Sequence, residues 1–150
     1  MKSISSLFLF TTSFVAASDE GDMPIVLDSS NFYGNVLDRE TNKVIGDKPW
    51  FIEFYSPRCP HCVHLAPTWD ELYVRNKAKI TVARVDCTTT SGKSLCHEFD
   101  VHGYPTLLLF ANDGQFYHKY NGHRTIAAFE FWLSEHDHQV IESGDTHQHH

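Results

Sequence analysis

Two cysteines separated by two residues are the strongest chemical signal in the sequence, in the stretch Cys59-Pro60-His61-Cys62. The stretch follows an apolar run and opens a segment with helical spacing, which is the context of a redox pair. A first cysteine at a helix N-terminus faces unpaired backbone N–H groups that favour its thiolate. We therefore predict that Cys59 is the exposed nucleophile and that Cys62 is the more buried resolving thiol. His61 would add positive charge or donate a hydrogen bond to the thiolate.

The competing interpretation of this motif is half of a zinc site, which requires two further ligands at suitable spacing. The other two cysteines, Cys87 and Cys96, have eight residues between them, and no neighbouring histidine pair completes a zinc-finger pattern. The strand-to-helix context matches only the redox interpretation. We expect neither a metal nor a bound cofactor in this domain.

The elements around the motif alternate between strands and helices. Apolar runs and alternation predict strands at 25–27, 50–55, 80–86, 106–110 and 116–120. Capping residues and helical spacing predict helices at 28–38, 60–76, 91–100 and 125–136, with a hairpin turn at 112–115. This order predicts an α/β fold with a mixed central sheet and helices on both faces.

Composition limits the chain to one acidic globular domain. The sequence has 150 residues and a formal net charge of −7, with 12 Lys and Arg against 19 Asp and Glu. It has no basic stripe that could neutralise phosphates, so we expect no nucleic-acid partner.

The first 18 residues have the layout of a secretory signal peptide. Lys2 supplies positive charge, an apolar run extends to Val15, and small residues precede the acids that begin at Asp19. The alternative is a membrane anchor, but the run of roughly twelve residues is well short of the ~20 that span a bilayer. We therefore predict entry into the secretory pathway, where disulfides persist, and no integral membrane segment.

Four ordered blocks carry a family resemblance. They are Phe51 to Pro67 around the cysteine motif, Val85-Asp-Cys-Thr88, Val101-His-Gly-Tyr-Pro-Thr106 and Tyr120-Asn-Gly-His-Arg124. Together they resemble a thioredoxin-fold domain of the protein disulfide isomerase family, over residues 22–136. The resemblance implies thiol–disulfide exchange with cysteine-containing secretory client proteins, and an unidentified partner that reoxidises the domain.

The same resemblance implies roles for three residues outside the motif. Glu53 would be a buried acid of raised pKa that relays the proton of Cys62; the alternative is a charge facing solvent. The peptide bond before Pro105 would be cis and would lie beside the redox pair; the alternative is a trans proline in a turn. Arg124 would lower the pKa of Cys62; alone, it would be interpreted as a surface arginine.

Departures from the family pattern indicate an oxidising site. Arg58 replaces the usual tryptophan, Val63 replaces the usual lysine, and the inner dipeptide is Pro-His instead of Gly-His. A cation at Arg58 would further stabilise the Cys59 thiolate, which favours the reduced form. We expect a site at least as oxidising as an ordinary isomerase domain.

The second cysteine pair, Cys87 and Cys96, is predicted to form a structural disulfide, as in several family members with an Asp-Cys-Thr block. The alternative is two buried free thiols that behave as small apolar side chains.

The C-terminal segment, 137–150, is predicted to be a flexible, His-rich tail, with weak metal binding as the alternative. The sequence lacks a Lys-Asp-Glu-Leu-type signal, so the expected location is the endoplasmic reticulum lumen or the cell exterior. A different class of function remains open, a client-binding chaperone or retention module with secondary redox activity.

Overall fold

The computed structural model describes residues 23–144, with side chains through residue 137. The predicted signal peptide and the last residues of the predicted tail lie outside these bounds. Five strands form one sheet: β1 (Ile25–Leu27), β2 (Trp50–Tyr55), β3 (Thr81–Asp86), β4 (Thr106–Phe110) and β5 (His118–Lys119). Three helices accompany them: α1 (Pro60–Asn76), α2 (Thr90–Glu98) and α3 (Ile126–Gly144).

The sheet is mixed, with the strand order β1-β3-β2-β4-β5. The first three strands in this order are parallel, whereas β4 and β5 are antiparallel to their neighbours. The predicted α/β thioredoxin fold with a mixed central sheet is confirmed. β2 lies at the centre of the sheet, and the chain continues from its carboxyl end to the cysteine motif at the start of α1.

Side-chain alternation along the central strands divides the core between the two faces of the sheet. On one face, Phe51 packs with Trp69 of α1 and Phe129 of α3. On the other face, Ile52 and Phe54 pack in a hydrophobic cluster that includes Leu95 and Cys96 of α2. The indole N–H of Trp69 donates to the carbonyl of Ala83 at 3.0 Å, which ties α1 to β3.

The prediction of a helix at 28–38 is wrong. This segment consists of turns, with isolated bridges that join Leu37 to Tyr33 and to Val44. The Asp28 carboxylate accepts from the backbone N–H of Ser30, and the Asn31 side chain accepts from the N–H of Asp28. These local bonds satisfy the backbone in a turn, so the residues that resemble a helix cap do not start a helix.

Two further boundaries differ from the sequence-based expectation. The fifth strand, predicted at 116–120, is paired only at His118–Lys119. The last helix, predicted to end near His136, continues to Gly144 and so includes the beginning of the predicted flexible tail. No proline or glycine interrupts the chain between His136 and Gly144, so nothing in the sequence ends the helix earlier.

Candidate active site

Cys59 lies where β2 ends and α1 begins. It is the N-cap residue of α1, with an extended backbone, and Pro60 occupies the first helical turn. Proline is suited to this position because its missing N–H would be unpaired there. The backbone N–H groups of Cys62 and His61 point at the Cys59 sulfur and hold the pKa of this half-buried thiol below its ordinary value. The positive charge of Arg124 lowers the pKa of Cys59 further.

Cys62 lies one turn into α1 and is only 3% exposed. Burial raises the pKa of its thiol to about 11, and the nearby charge of Glu53 acts in the same direction. Both cysteines of the motif are free thiols in the structure. The two sulfurs therefore differ strongly: Cys59 is accessible and inclined to ionise, whereas Cys62 is buried and retains its proton.

The Tyr104–Pro105 peptide bond is cis. The loop that contains it brings the Tyr104 carbonyl oxygen to 3.5 Å from the Cys59 sulfur. Tyr104, whose backbone makes this contact, is 39% exposed. This loop also lines a cavity of about 420 Å³, whose other lining residues include Lys119 and Arg124.

Glu53 occupies the middle of β2 and is 2% exposed. It is paired in register with Arg84 of β3 on one side and Leu107 of β4 on the other. Burial raises the pKa of this carboxyl to about 7, an effect that the charges of Arg84 and Arg124 oppose and the charge of Asp70 reinforces. The solvent-facing alternative for Glu53 is wrong, because the residue is almost completely buried.

The side chains expected to tune the motif are those of Arg124, His61 and Arg58. The positive charge of Arg124 lowers the pKa of Cys59 and of Glu53, and its expected action on Cys62 stays a prediction. His61 affects Cys59 through its backbone N–H. The Arg58 side chain is exposed, and its backbone N–H lies 3.4 Å from the Ser56 hydroxyl oxygen.

Sequence reasoning missed two charged residues close to Glu53. Arg84 of β3 forms an ion pair with Asp70 of α1, and the two side chains are 16% and 34% exposed. The available signal was a single arginine between the apolar residues Ala83 and Val85 of the strand, at the position that the parallel register places beside Glu53.

Cys87 and Cys96 are joined in a disulfide that connects the end of β3 to α2. Both residues are buried, and the Cys87 N–H donates to the Tyr55 carbonyl oxygen at 2.9 Å. This second pair is therefore enclosed in the fold, in contrast to the accessible Cys59.

The described residues also bear on two other functions, metal binding and membrane insertion. Within residues 23–137, no group of three histidine, cysteine, aspartate or glutamate side chains is arranged to hold a metal ion. In the same part of the chain that the structure describes, no helix is both long enough and apolar enough to cross a membrane.

The fold, the position of the cysteine pair at the start of α1 and the cis peptide bond beside it define a thioredoxin-type redox domain. The thioredoxin family model matches residues 24–135, and the chain belongs to this family. Its relatives include Protein disulfide-isomerase 1 of Dictyostelium discoideum, 35% identical over 91% of this chain and 36% of the relative. A thioredoxin domain-containing protein 5 homolog of Drosophila melanogaster is 36% identical over 64% of this chain and 24% of the relative.

Solved structures agree with this assignment. The J-Trx1 fragment of ERdj5 matches with a TM-score of 0.63 and 31% identity, over 75% of this chain and 49% of the fragment. The chain spans between about a quarter and a half of the length of the first curated relatives that it matches. The comparisons thus establish the family of this domain, with disulfide isomerases among its relatives.

Proposed function

We propose that the chain is a thiol–disulfide oxidoreductase that oxidises thiols to disulfides, and isomerises disulfides, in folding proteins of the secretory pathway. The observation that carries this proposal is the contrast between an accessible Cys59 of lowered pKa and a buried Cys62 with a pKa of about 11. Disulfide exchange needs such a contrast, because one sulfur must meet the client while the other closes or releases the mixed disulfide.

In the oxidase direction, the reaction starts from a Cys59–Cys62 disulfide. A client thiolate attacks the Cys59 sulfur, a client–Cys59 bond forms, and Cys62 leaves as a thiolate. Glu53, with a pKa of about 7, can donate its proton to that thiolate. A second client thiolate then attacks the client sulfur of the mixed disulfide, and Cys59 departs as a thiolate. The client has lost two electrons and the enzyme has gained them.

In isomerisation, the reduced Cys59 thiolate attacks an incorrect client disulfide and releases one client thiolate. A different client thiolate can then attack the mixed disulfide to form the correct pair. If the complex stalls, Cys62 gives its proton to the Glu53 carboxylate and attacks Cys59, which releases the client in reduced form. The backbone N–H groups at the start of α1 stabilise the Cys59 thiolate whenever Cys59 is the leaving group.

The names of the relatives support a location in the secretory pathway, with the endoplasmic reticulum lumen or the cell exterior as the expected sites. Oxidase turnover would consume the disulfide of the enzyme, so an unidentified oxidising partner must restore it. The stabilised Cys59 thiolate supports a potential at least as oxidising as that of an ordinary isomerase domain.

Oxidation of a two-cysteine model peptide in a glutathione buffer tests this function. We expect Cys59→Ser to abolish catalysis and Cys62→Ser to accumulate a mixed disulfide through Cys59. The matched control is Ser56→Ala, which removes a nearby hydroxyl but no sulfur and should retain turnover. Full peptide oxidation by Cys59→Ser would contradict the proposal. Unchanged peptide binding without any Cys59-dependent exchange would favour the client-binding module instead.

A further inference from the structure

Glu53 lies in a small network of charged groups between the sheet and α1. Residues 51, 53 and 55 of β2 face the same side, and Phe51 on that side packs against Trp69 of α1. The groups whose charges interact with Glu53 are Tyr55 of β2, Arg84 of β3, Asp70 and Cys62 of α1, and Arg124 before α3.

Arg84 occupies the centre of this network. Its Nη2 donates to Asp70 Oδ1, and its guanidinium carbon lies 5.9 Å from the centre of the Tyr55 ring. Its Nε is buried without a hydrogen-bond partner among the described residues. The guanidinium is therefore held toward α1 by Asp70, while its own strand position is directly beside Glu53 in the parallel register.

We propose that Asp70 is a positioning residue of the redox site: it holds the Arg84 guanidinium away from Glu53 and so preserves Glu53 as the proton donor to the departing Cys62. This inference rests on the proposed function, because the donor is needed only when Cys62 leaves a disulfide. The charges of the ion pair agree with this role of Asp70, because the Asp70 charge raises the pKa of Glu53 and the Arg84 charge lowers it.

The chemical consequence concerns one proton. When the client thiolate opens the Cys59–Cys62 disulfide, Cys62 leaves as a thiolate in a buried site, where the charged form is unfavourable. A protonated Glu53 converts it to the thiol and becomes a carboxylate. Without Asp70, the freed guanidinium would favour the ionised form of Glu53, which has no proton to donate.

A pair of substitutions at the two ends of the ion pair tests this assignment. Asp70→Asn and Arg84→Gln both remove the ion pair, so a merely structural role would affect both variants alike. The proposal instead predicts opposite shifts. Asp70→Asn should lower the pKa of Glu53 because the Arg84 guanidinium is freed and a negative charge is lost, and Arg84→Gln should raise it because a positive charge is lost.

The direct measurement is a pH titration of the Glu53 carboxyl carbon by NMR, assigned by its disappearance in Glu53→Gln. The kinetic measurement is the single-turnover oxidation of a two-cysteine peptide by the oxidised protein, from about pH 5.5 to pH 8.5. The ratio of each variant's rate to the wild-type rate cancels the pH dependence of the peptide thiol. A fall of about one pKa unit in Asp70→Asn would lower the protonated fraction of Glu53 near pH 7, and with it the rate, about fivefold.

Glu71→Gln is the matched control, because Glu71 is the next acid on α1 and pairs with the exposed Arg75 at 3.9 Å. It should leave both the titration and the rate ratio unchanged. An unchanged Glu53 titration in Asp70→Asn, or a shift in the same direction in both ion-pair variants, would overturn the inference. If Arg84→Gln does not fold, the comparison of Asp70→Asn with Glu71→Gln decides. If the wild type shows no Cys59-dependent oxidation, the proposed function fails, while the NMR titration still tests the role of Asp70.

Discussion

Replacement of Glu53 by glutamine should make the protein more stable at alkaline pH. The side chain is 2% exposed, and its pKa rises from an ordinary 4.5 to about 7 in the fold. Below pH 4.5 the carboxyl is protonated in both the folded and the unfolded chain, so burial carries no ionisation penalty. As the pH rises from 4.5 to about 7, the Glu53 carboxyl ionises first in the unfolded chain. The folded state therefore loses stability relative to the unfolded state until the pH exceeds about 7.

The size of the effect follows from the two pKa values. At about 1.36 kcal/mol per pKa unit, the difference corresponds to about 3 kcal/mol of lost stability above neutral pH. Glutamine has nearly the same shape and does not ionise, so Glu53→Gln should remove this loss. The variant should match its parent near pH 4.5 and exceed it by about 3 kcal/mol near pH 8.5.

Urea unfolding across this pH range measures the difference. Both proteins should carry Cys59→Ser and Cys62→Ser, so that the Cys87–Cys96 disulfide is the single remaining cysteine pair and no thiol titrates. Other carboxyls with shifted pKa values affect both proteins equally and cancel in the comparison. A stability difference that does not change between pH 5 and pH 8.5 would refute the claim that Glu53 is buried with a raised pKa.

Three further variants test other parts of the account. Arg124→Gln should raise the pKa of Cys59, measured as the pH dependence of its alkylation rate, and an unchanged alkylation profile would show that Arg124 does not act on this sulfur. Replacement of Cys87 and Cys96 by serine should cost about 2–3 kcal/mol in urea unfolding because the constraint on the unfolded chain is lost, while the potential of the other pair stays the same. Gly92→Ala would place a methyl group 1.8 Å from the Asp86 carbonyl oxygen, so we expect the free energy of unfolding to fall by about 1–3 kcal/mol. Unaltered stability would contradict this close packing.

The sequence was informative where local pattern and tertiary structure agree. The apolar run 50–55 and the helix 60–76 have the predicted bounds, because an apolar run defines a central strand and Pro60 defines the first turn of a helix. The segment 28–38 was mispredicted because side chains that can cap a helix can also close turns, and here Asp28 and Asn31 do so.

The electrostatics of the site depended on information that the sequence does not contain. The partnership of Asp70 with Arg84 requires the packing of α1 on β3, and the position of Arg84 beside Glu53 requires the register of two strands far apart in the chain. The effect of Arg124 on Glu53 likewise depends on the three-dimensional arrangement. Motif spacing identified Cys59 and Cys62, whereas the charges that tune their neighbour Glu53 became visible only in three dimensions.

The reduction potential of the Cys59–Cys62 pair tests the central claim most directly. Equilibration in glutathione buffers, followed by alkylation and intact mass analysis, reports the oxidised fraction of each cysteine pair. We predict that Cys59 and Cys62 titrate together as a two-electron couple between about −180 and −120 mV, while Cys87 and Cys96 remain oxidised. A potential near the roughly −270 mV of a reducing thioredoxin, or no reversible disulfide between Cys59 and Cys62, would contradict the account.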